Sequence, residues 1–214
     1  MFLRNLLSVF RPARSGRARA AALLALLMLV GLVSWLGTGR APDGGIVTSP
    51  GTADGPVPAG RYVLQGKIVD VADGDTVTLQ AAGARHRIRL DSIDAPESGH
   101  GPQQPGQPFA QAARRQLSAL VAGKTLQAQC YEKDQYGRDV CALMLPGGSS
   151  ANRELVASGH AWAYTARRGA YLNDGAMRGL QARAERAGLG LWAQSGARAP
   201  WQWRYDCWKQ QQCH

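Results

Sequence analysis

Apolar and polar residues alternate along short stretches in the middle of the chain. Thr76-Val77-Thr78-Leu79-Gln80 alternates cleanly, as does Arg85-His86-Arg87-Ile88-Arg89-Leu90-Asp91, and Tyr62 to Asp70 alternates in part. A period of two marks a strand with one buried face. Ala72-Asp73-Gly74-Asp75 and Ala82-Gly83 supply the turns between these runs. A polar loop rich in Gly, Pro and Gln follows, Ser98 to Pro108. A helix is then predicted from about Phe109 to Val121, with Leu117, Leu120 and Val121 on one side and Gly123 as its stop. Leu126 to Tyr131 and Val140 to Leu145 read as two more strands. In the C-terminal third, Asn152 is placed to cap a short helix that stops at Gly159, and Asp174 to Ala187 reads as a second helix. The order lacks βαβ alternation. Five short strands with about three helices therefore predict an α+β, mainly β domain built on a small closed barrel, spanning 61–199.

The pattern before that domain is different. Residues 1–19 hold five arginines and no acid, and residues 20–39 hold no charged side chain at all. About 20 apolar residues suffice to cross a bilayer as one helix, and arginines on the near side keep that end in the cytoplasm. The expectation is an N-terminal transmembrane helix with the rest of the chain extracytoplasmic. A cleaved signal peptide, with Gly37-Thr38-Gly39 as the cleavage region, is the competing expectation, and the product would then be secreted. Residues 40–60 are rich in Gly and Pro without apolar periodicity. As a flexible linker they would reach roughly 25 Å.

This division changes the meaning of the charge. The chain carries +10 overall, but residues 41–214 hold 19 basic against 15 acidic side chains. The N-terminal arginines are a topology signal and a contact for anionic lipid, so the high overall charge is weak support for nucleic-acid binding. All four cysteines, Cys130, Cys141, Cys207 and Cys213, follow the apolar segment. In an oxidising compartment they suggest disulfides. Cys130 and Cys141 flank the Tyr136-Gly137 turn and would face each other across it, leaving Cys207 and Cys213 to close the tail. Zinc is the rival reading, against which stands the lack of a C-x-x-C pair.

The candidate chemistry sits at turns and strand ends. Asp73-Gly74-Asp75-Thr76, Arg89 with Asp94-Ala95-Pro96-Glu97, and Tyr136-Gly137-Arg138 place carboxylates and arginines within one short region. On strand 85–91, Ile88 and Leu90 share the face that suits a barrel interior, which leaves Arg89 outside. Pro96 restricts Ala95 to extended backbone and so fixes where Asp94 and Glu97 point. Asp75 meets Asp94 if neighbouring strands pair. Two carboxylates, a carbonyl and waters suit Ca²⁺, which would neutralise a phosphate oxygen and orient a water. Arg89 and Arg138 can grip phosphate oxygens, and Glu97 is the natural general base. Each element alone also has a bland reading: an Asp-Gly-Asp turn is common, and the arginines could be partners of Asp91 and Asp139. His100 and His160 invite a base role, but one lies in a flexible loop and the other beside a helix end.

Taken together, the D-G-D-T turn at 73–76, the R-x-x-x-x-D-x-P-E string from Arg89 to Glu97 and the Y-G-R turn at 136–138 resemble the thermonuclease, or staphylococcal-nuclease-like, family. The resemblance runs from about Tyr62 to Trp192. It implies an OB-fold barrel with three helices and Ca²⁺-dependent cleavage of DNA and RNA at the P–O5′ bond, leaving 3′-phosphates. By position, Asp75 and Asp94 resemble the calcium carboxylates, Ala95 offers its backbone carbonyl and Asp73 stands just behind the metal. Arg89, Glu97 and Arg138 fall on the catalytic positions, and Tyr136 matches a nucleotide-contacting tyrosine. Gln135 departs from the pattern, where a lysine is usual, and removes one phosphate contact. Trp162-Ala163-Tyr164 keeps the helix–loop context without the same tyrosine spacing, which makes Tyr164 either a substrate residue or a wall residue.

The aromatic and cysteine-bearing tail, 200–214, includes Trp201, Trp203, Arg204, Tyr205 and Trp208. It either stacks on unpaired bases or seals the surface of the barrel. The expected protein is a tethered monomer acting on DNA and RNA, mainly single-stranded. Two rivals stand beside it. One is an OB-fold module that holds nucleic acid without cutting it. The other is an envelope scaffold in which the tether and tail are the working parts.

Overall fold

The computed structural model describes residues 54–213. The basic arm, the apolar segment and residues 40–53 of the expected linker lie outside the described residues. Among the described residues no helix is long and apolar enough to cross a membrane.

Five strands close into a barrel in the order β1 (Tyr62–Val71), β2 (Thr76–Ala81), β3 (Ala84–Leu90), β6 (Asp139–Met144) and β5 (Thr125–Lys133). A short strand β4 (Ile93–Asp94) pairs outside it with β7 (Trp162–Ala163). Alternation puts Ile68, Val77, Leu79, Ile88, Leu90 and Leu143 inside, all fully buried. The expected alternation of β1 fails at its end because a bulge between Ile68 and Asp70 shifts the register. Val69 and Asp70 both face solvent, and Val71 returns to the interior. The one parallel pairing among the described residues, β3 with β6, matches Ile88 to Asp139 and Leu90 to Cys141. It closes the barrel beside the strand end that carries Arg89.

Helix α1 (Ala110–Val121) buries Ala113, Leu117 and Val121 against the barrel. Helix α2 (Ala151–Ala157) is capped by Ser150, whose hydroxyl accepts from the Arg153 N–H. Asn152, expected as the cap, lies one residue inside the helix. Its buried amide instead accepts from the Leu143 N–H and donates to the carbonyls of Asp91 and Cys141. The cap passed to Ser150 because its extended backbone suits the position. Helix α3 (Met177–Arg186) is shorter than the expected 174–187 and packs Met177, Leu180 and Ala184 inward.

Cys130 and Cys141 face each other in the β5–β6 register and form a buried disulfide, and Cys207 bonds Cys213. No cysteine among the described residues is left for zinc. Residues 54–60, placed within the expected linker, lie against the domain. The Arg153 guanidinium donates to the carbonyls of Gly55 and Pro56, the Tyr131 hydroxyl donates to Pro58, and Arg183 pairs with Asp54. The tail also folds onto the domain, as helix α4 (Pro200–Trp203) continuing into a wider π-helical turn, Arg204–Lys209. Pro200 opens α4, where its missing N–H costs nothing.

Candidate active site

The Asp73–Asp75 turn links β1 to β2. Asp73 Oδ1 accepts from the Asp75 N–H at 3.0 Å, which locks the turn and leaves Asp73 half-buried behind Asp75. Gly74 is there because the turn lies on its neighbours: a Cβ at this position would stand 2.7 Å from the Ala95 Cβ and 2.8 Å from the Ala113 Cβ. Packing against Ala95, just after β4, and against Ala113 of α1 thus sets the height of Asp75.

Strand pairing brings Arg89 to this turn. Thr76 is opposite Arg89, and the Leu90 N–H donates to the Asp75 carbonyl at 2.8 Å. The Arg89 guanidinium then reaches Asp75 with one nitrogen and Asp94 with another, the second at 2.6 Å. Asp94 is fully buried on β4, and that strand pairs with Trp162 rather than with the strand after Asp75. The link between the two carboxylates is made by Arg89 and by the Ala95 N–H, which donates to Asp75 Oδ2 at 3.0 Å. Asp91 and Asp139 are not the partners of the arginines. Asp91 takes hydrogen bonds from Ser92 and Asn173, and Asp139 takes them from Tyr62 and Lys133.

Glu97 follows Pro96 at the start of the 98–108 loop. Its N–H donates to Gln107 Oε1, and its carbonyl accepts from the Gln107 N–H, so the two ends of the loop are stitched together. Burial raises the Glu97 carboxyl above the usual range, opposed chiefly by the charge of Arg204. Arg204 comes from the tail. It donates to Glu97 and to both oxygens of Asp94, one of them at 2.8 Å. Burial works against its charge, but these two carboxylates hold it above the ordinary arginine range.

Asp73, Asp75, Arg89, Glu97 and Arg204 line one cleft of about 640 Å³, with Asp94 fully buried and tied to it through Arg89 and Arg204. Arg138, Tyr136 and Tyr164 also line it, at greater remove from the carboxylates. Arg138 pairs with Asp134, Nε to Oδ2 at 2.7 Å, at the β5–β6 turn. Tyr136 is 75% exposed at the same turn, with the Arg138 guanidinium 5.6 Å from its ring centre. Tyr164 stacks on Tyr171 at 5.4 Å and lies 5.6 Å from Trp201. Burial and the nearby Asp94 charge push its phenol upward. His100 lies on the cleft edge against Trp208. His160 is turned toward Ser158, and burial lowers its pKa.

The donor set fits a hard divalent cation. Asp75 and Asp94 are buried, carry only oxygen donors and converge on a single small cationic group, the Arg89 guanidinium. Among the described residues no three His, Cys, Asp or Glu side chains form a ready cage. A cation there would draw on these two carboxylates, backbone and water, as oxygen-ligated sites with open positions do.

Sequence reasoning missed Tyr171, which joins the cleft by stacking on Tyr164, and named Trp201 and Arg204 only as residues of the aromatic tail. Arg204 reaches Asp94 across 110 positions, through the folded tail. The tail's arginine among tryptophans was visible, but not its target.

Residues 87–194 match the family described as staphylococcal nuclease homologue. A micrococcal nuclease of Shigella flexneri is 35% identical over 167 residues, covering 74% of this chain and 86% of that protein. An uncharacterized endonuclease of Escherichia coli is 33% identical over 142 residues, covering 66% of this chain and 86% of its own length. A probable staphylococcal-like nuclease of Oryza sativa is 34% identical over 122 residues, 57% of this chain and 33% of the plant protein. With the barrel, the Asp75–Arg89–Asp94 cluster and these relatives in agreement, the chain belongs to the staphylococcal nuclease family.

Proposed function

We propose that this protein is a Ca²⁺-dependent phosphodiesterase that cuts DNA and RNA with little sequence specificity. The observation that carries the reading is the convergence of Asp75, Arg89 and Glu97 on one open cleft, with the buried Asp94 tied to it through Arg89 and Arg204. Asp75 and Asp94, with the Ala95 carbonyl, would hold the cation, and Asp73 would support them from behind. Bound there, Ca²⁺ would supply positive charge to a phosphate oxygen and to the attacking water.

The chain's own groups account for the rest. Glu97 takes a proton from the water as its oxygen bonds to phosphorus, and the P–O5′ bond breaks with its electron pair leaving on the 5′ oxygen. The product keeps a 3′-phosphate. Arg89 donates to the non-bridging oxygens, where charge grows in the transition state. Arg138 joins it by exchanging Asp134 for the phosphate. The exposed Tyr136 and the half-buried Tyr164 offer faces for unpaired bases, which favours single-stranded or frayed substrate. No helix of this domain is arranged to read base edges in a groove.

The expected setting is extracytoplasmic, with the protein anchored by its N-terminal apolar segment or released from it, and acting as a monomer. The two disulfides and the arginine-flanked apolar run support this placement.

The test is cleavage of single-stranded DNA by the full chain with Ca²⁺ and with a chelator, beside Asp75→Ala and Glu97→Gln. Calcium-dependent cutting that Glu97→Gln loses, with Ca²⁺ affinity that Asp75→Ala loses, is the expected result. Tight binding without cutting, indifferent to the chelator, would instead mark a nucleic-acid-holding module.

A further inference from the structure

One residue lining the cleft, Arg204, lies beyond the matched family segment, which ends at 194. The indole N–H groups of Trp203 and Trp208 both donate to the Pro105 carbonyl, at 3.3 and 3.0 Å. Gln107, two residues on, donates its side-chain amide to the Arg198 carbonyl at 2.6 Å. The Cys207–Cys213 disulfide closes the tail on itself just after these contacts. Pro105 and Gln107 belong to the loop whose ends are stitched at Glu97. One brace therefore holds both the loop that carries Glu97 and the segment that carries Arg204.

Charge balance gives Arg204 its meaning. Asp75, Asp94 and Glu97 place three carboxylates close together, and Arg89 pairs with only the first two. Glu97 faces Asp94 with no share in Arg89's hydrogen bonds. Arg204 fills this gap, its planar fork spanning Asp94 and Glu97 at once. Within these ion pairs three carboxylates still share two guanidinium groups, an imbalance that a cation would reduce.

We propose that Arg204 is a positioning residue of this site, fixing the Glu97 carboxylate beside Asp94 and supplying countercharge that a bound divalent cation competes with. The inference rests on the reading of the cleft as a cation-dependent phosphodiesterase and adds to it a residue from the tail. It makes the C-terminal segment part of the working site. The aromatic residues Trp203 and Trp208 act as the brace, and Arg204 acts on the chemistry through Glu97.

The experiment compares the full chain with Arg204→Ala, Arg204→Lys and Trp208→Ala. Single-stranded DNA cleavage is measured as kcat and KM, and Ca²⁺ binding by calorimetry without substrate. Arg204→Ala is expected to lose kcat by roughly tenfold to a hundredfold, as misplacement of a reacting group does, with KM changing less. Arg204→Lys should recover part of the loss, because an ammonium keeps the charge but cannot span two carboxylates as a fork. Trp208→Ala should lose kcat in the same direction by a smaller factor.

In the binding arm, taking one positive charge from beside Asp94 should tighten Ca²⁺ binding in Arg204→Ala by roughly fivefold to tenfold. A kcat within twofold of the parent, or Ca²⁺ binding that is unchanged or weaker, overturns the proposal. So does a lower melting temperature as the sole effect, which is what a merely structural brace would give. If the parent itself cuts nothing with any divalent cation, the functional reading falls. The calorimetric comparison then still decides whether Arg204 competes with a cation.

Discussion

Two charged networks lie a short distance apart in this protein and are built on opposite principles. Arg153 and Asp174 form a closed pair, each with 5% of its side chain exposed. Two guanidinium nitrogens meet the two carboxylate oxygens at 2.6 and 3.0 Å, and further N–H groups go to the carbonyls of Gly55 and Pro56. Asp174 also accepts from the Ala176 N–H, and Ser92 ties the pair to Asp91. Within the Arg153–Asp174 pair charge is matched one to one. In the other network the Asp75, Asp94 and Glu97 carboxylates share two guanidinium groups, those of Arg89 and Arg204, and the network borders an open cleft. A matched, closed network holds elements together, here α2, the 170s loop and the 54–60 segment. An unmatched, open one is available to a ligand. Burial alone does not distinguish the two networks, since Asp94 is as buried as Asp174.

The comparison can be broken from either side. The largest expected effect is on the open network: Glu97→Gln should slow cleavage by about 10²–10⁴-fold, the usual contribution of a general base, while thermal unfolding stays near the parent. An equal loss of stability and rate would make Glu97 part of the scaffold. On the closed network, Arg153→Ala leaves Asp174 buried without its counter-ion and should destabilise the fold by about 3–5 kcal/mol in chemical denaturation. The folded fraction should keep its turnover.

Asp91 sharpens the contrast through pH. Burial pushes its carboxyl up to about 6, despite hydrogen bonds from Ser92 and Asn173. Between its unfolded value near 4 and that folded value, the native state binds a proton that the unfolded chain has lost. Stability from this group is therefore present at low pH and falls as pH rises through about 6. The full shift corresponds to about 3 kcal/mol. Asp91→Asn should flatten the stability profile between pH 4 and 7, and an unchanged profile would remove Asp91 as its source.

The smallest effect is steric. Gly74→Ala puts a methyl group against Ala95 and Ala113 and should cost about 1–3 kcal/mol. It should also weaken Ca²⁺ binding, because Asp75 moves with the turn. A tolerated methyl group with unchanged Ca²⁺ affinity would show that the turn's height does not govern the site.

Much of this architecture could be read along the chain because it depends on near neighbours. Alternation at 76–80 and 85–91 predicts β2 and β3, the Gly123 stop marks the end of α1, and the spacing of Cys130 and Cys141 about a turn predicts their bond. The Asp73–Asp75 turn and the Ala95-Pro96-Glu97 geometry are likewise local, set by Asx hydrogen bonding and by proline's constraint on its predecessor. Where a reading failed, a local rule had more than one solution. Ser150 and Asn152 can both cap a helix. The outcome depended on Leu143, Asp91 and Cys141 offering Asn152 a buried set of partners that only the closed barrel assembles.

By itself, then, the sequence determined the strands, the turns, the disulfide across the β5–β6 hairpin and the residue types of the cleft, because each follows from chain geometry over a few positions. The tertiary structure decided which charges meet. It gave Arg89 to Asp75 and Asp94 rather than to Asp91, sent Arg138 to Asp134, fastened residues 54–60 along the domain and laid the tail's Arg204 on Glu97. Arg138–Asp134 and Arg89–Asp94 span only four and five positions, but the Arg89–Asp75, Arg204–Glu97 and 54–60 contacts join distant segments, and their free energy is collected only after barrel closure has brought these together. No local pattern in the chain encodes them.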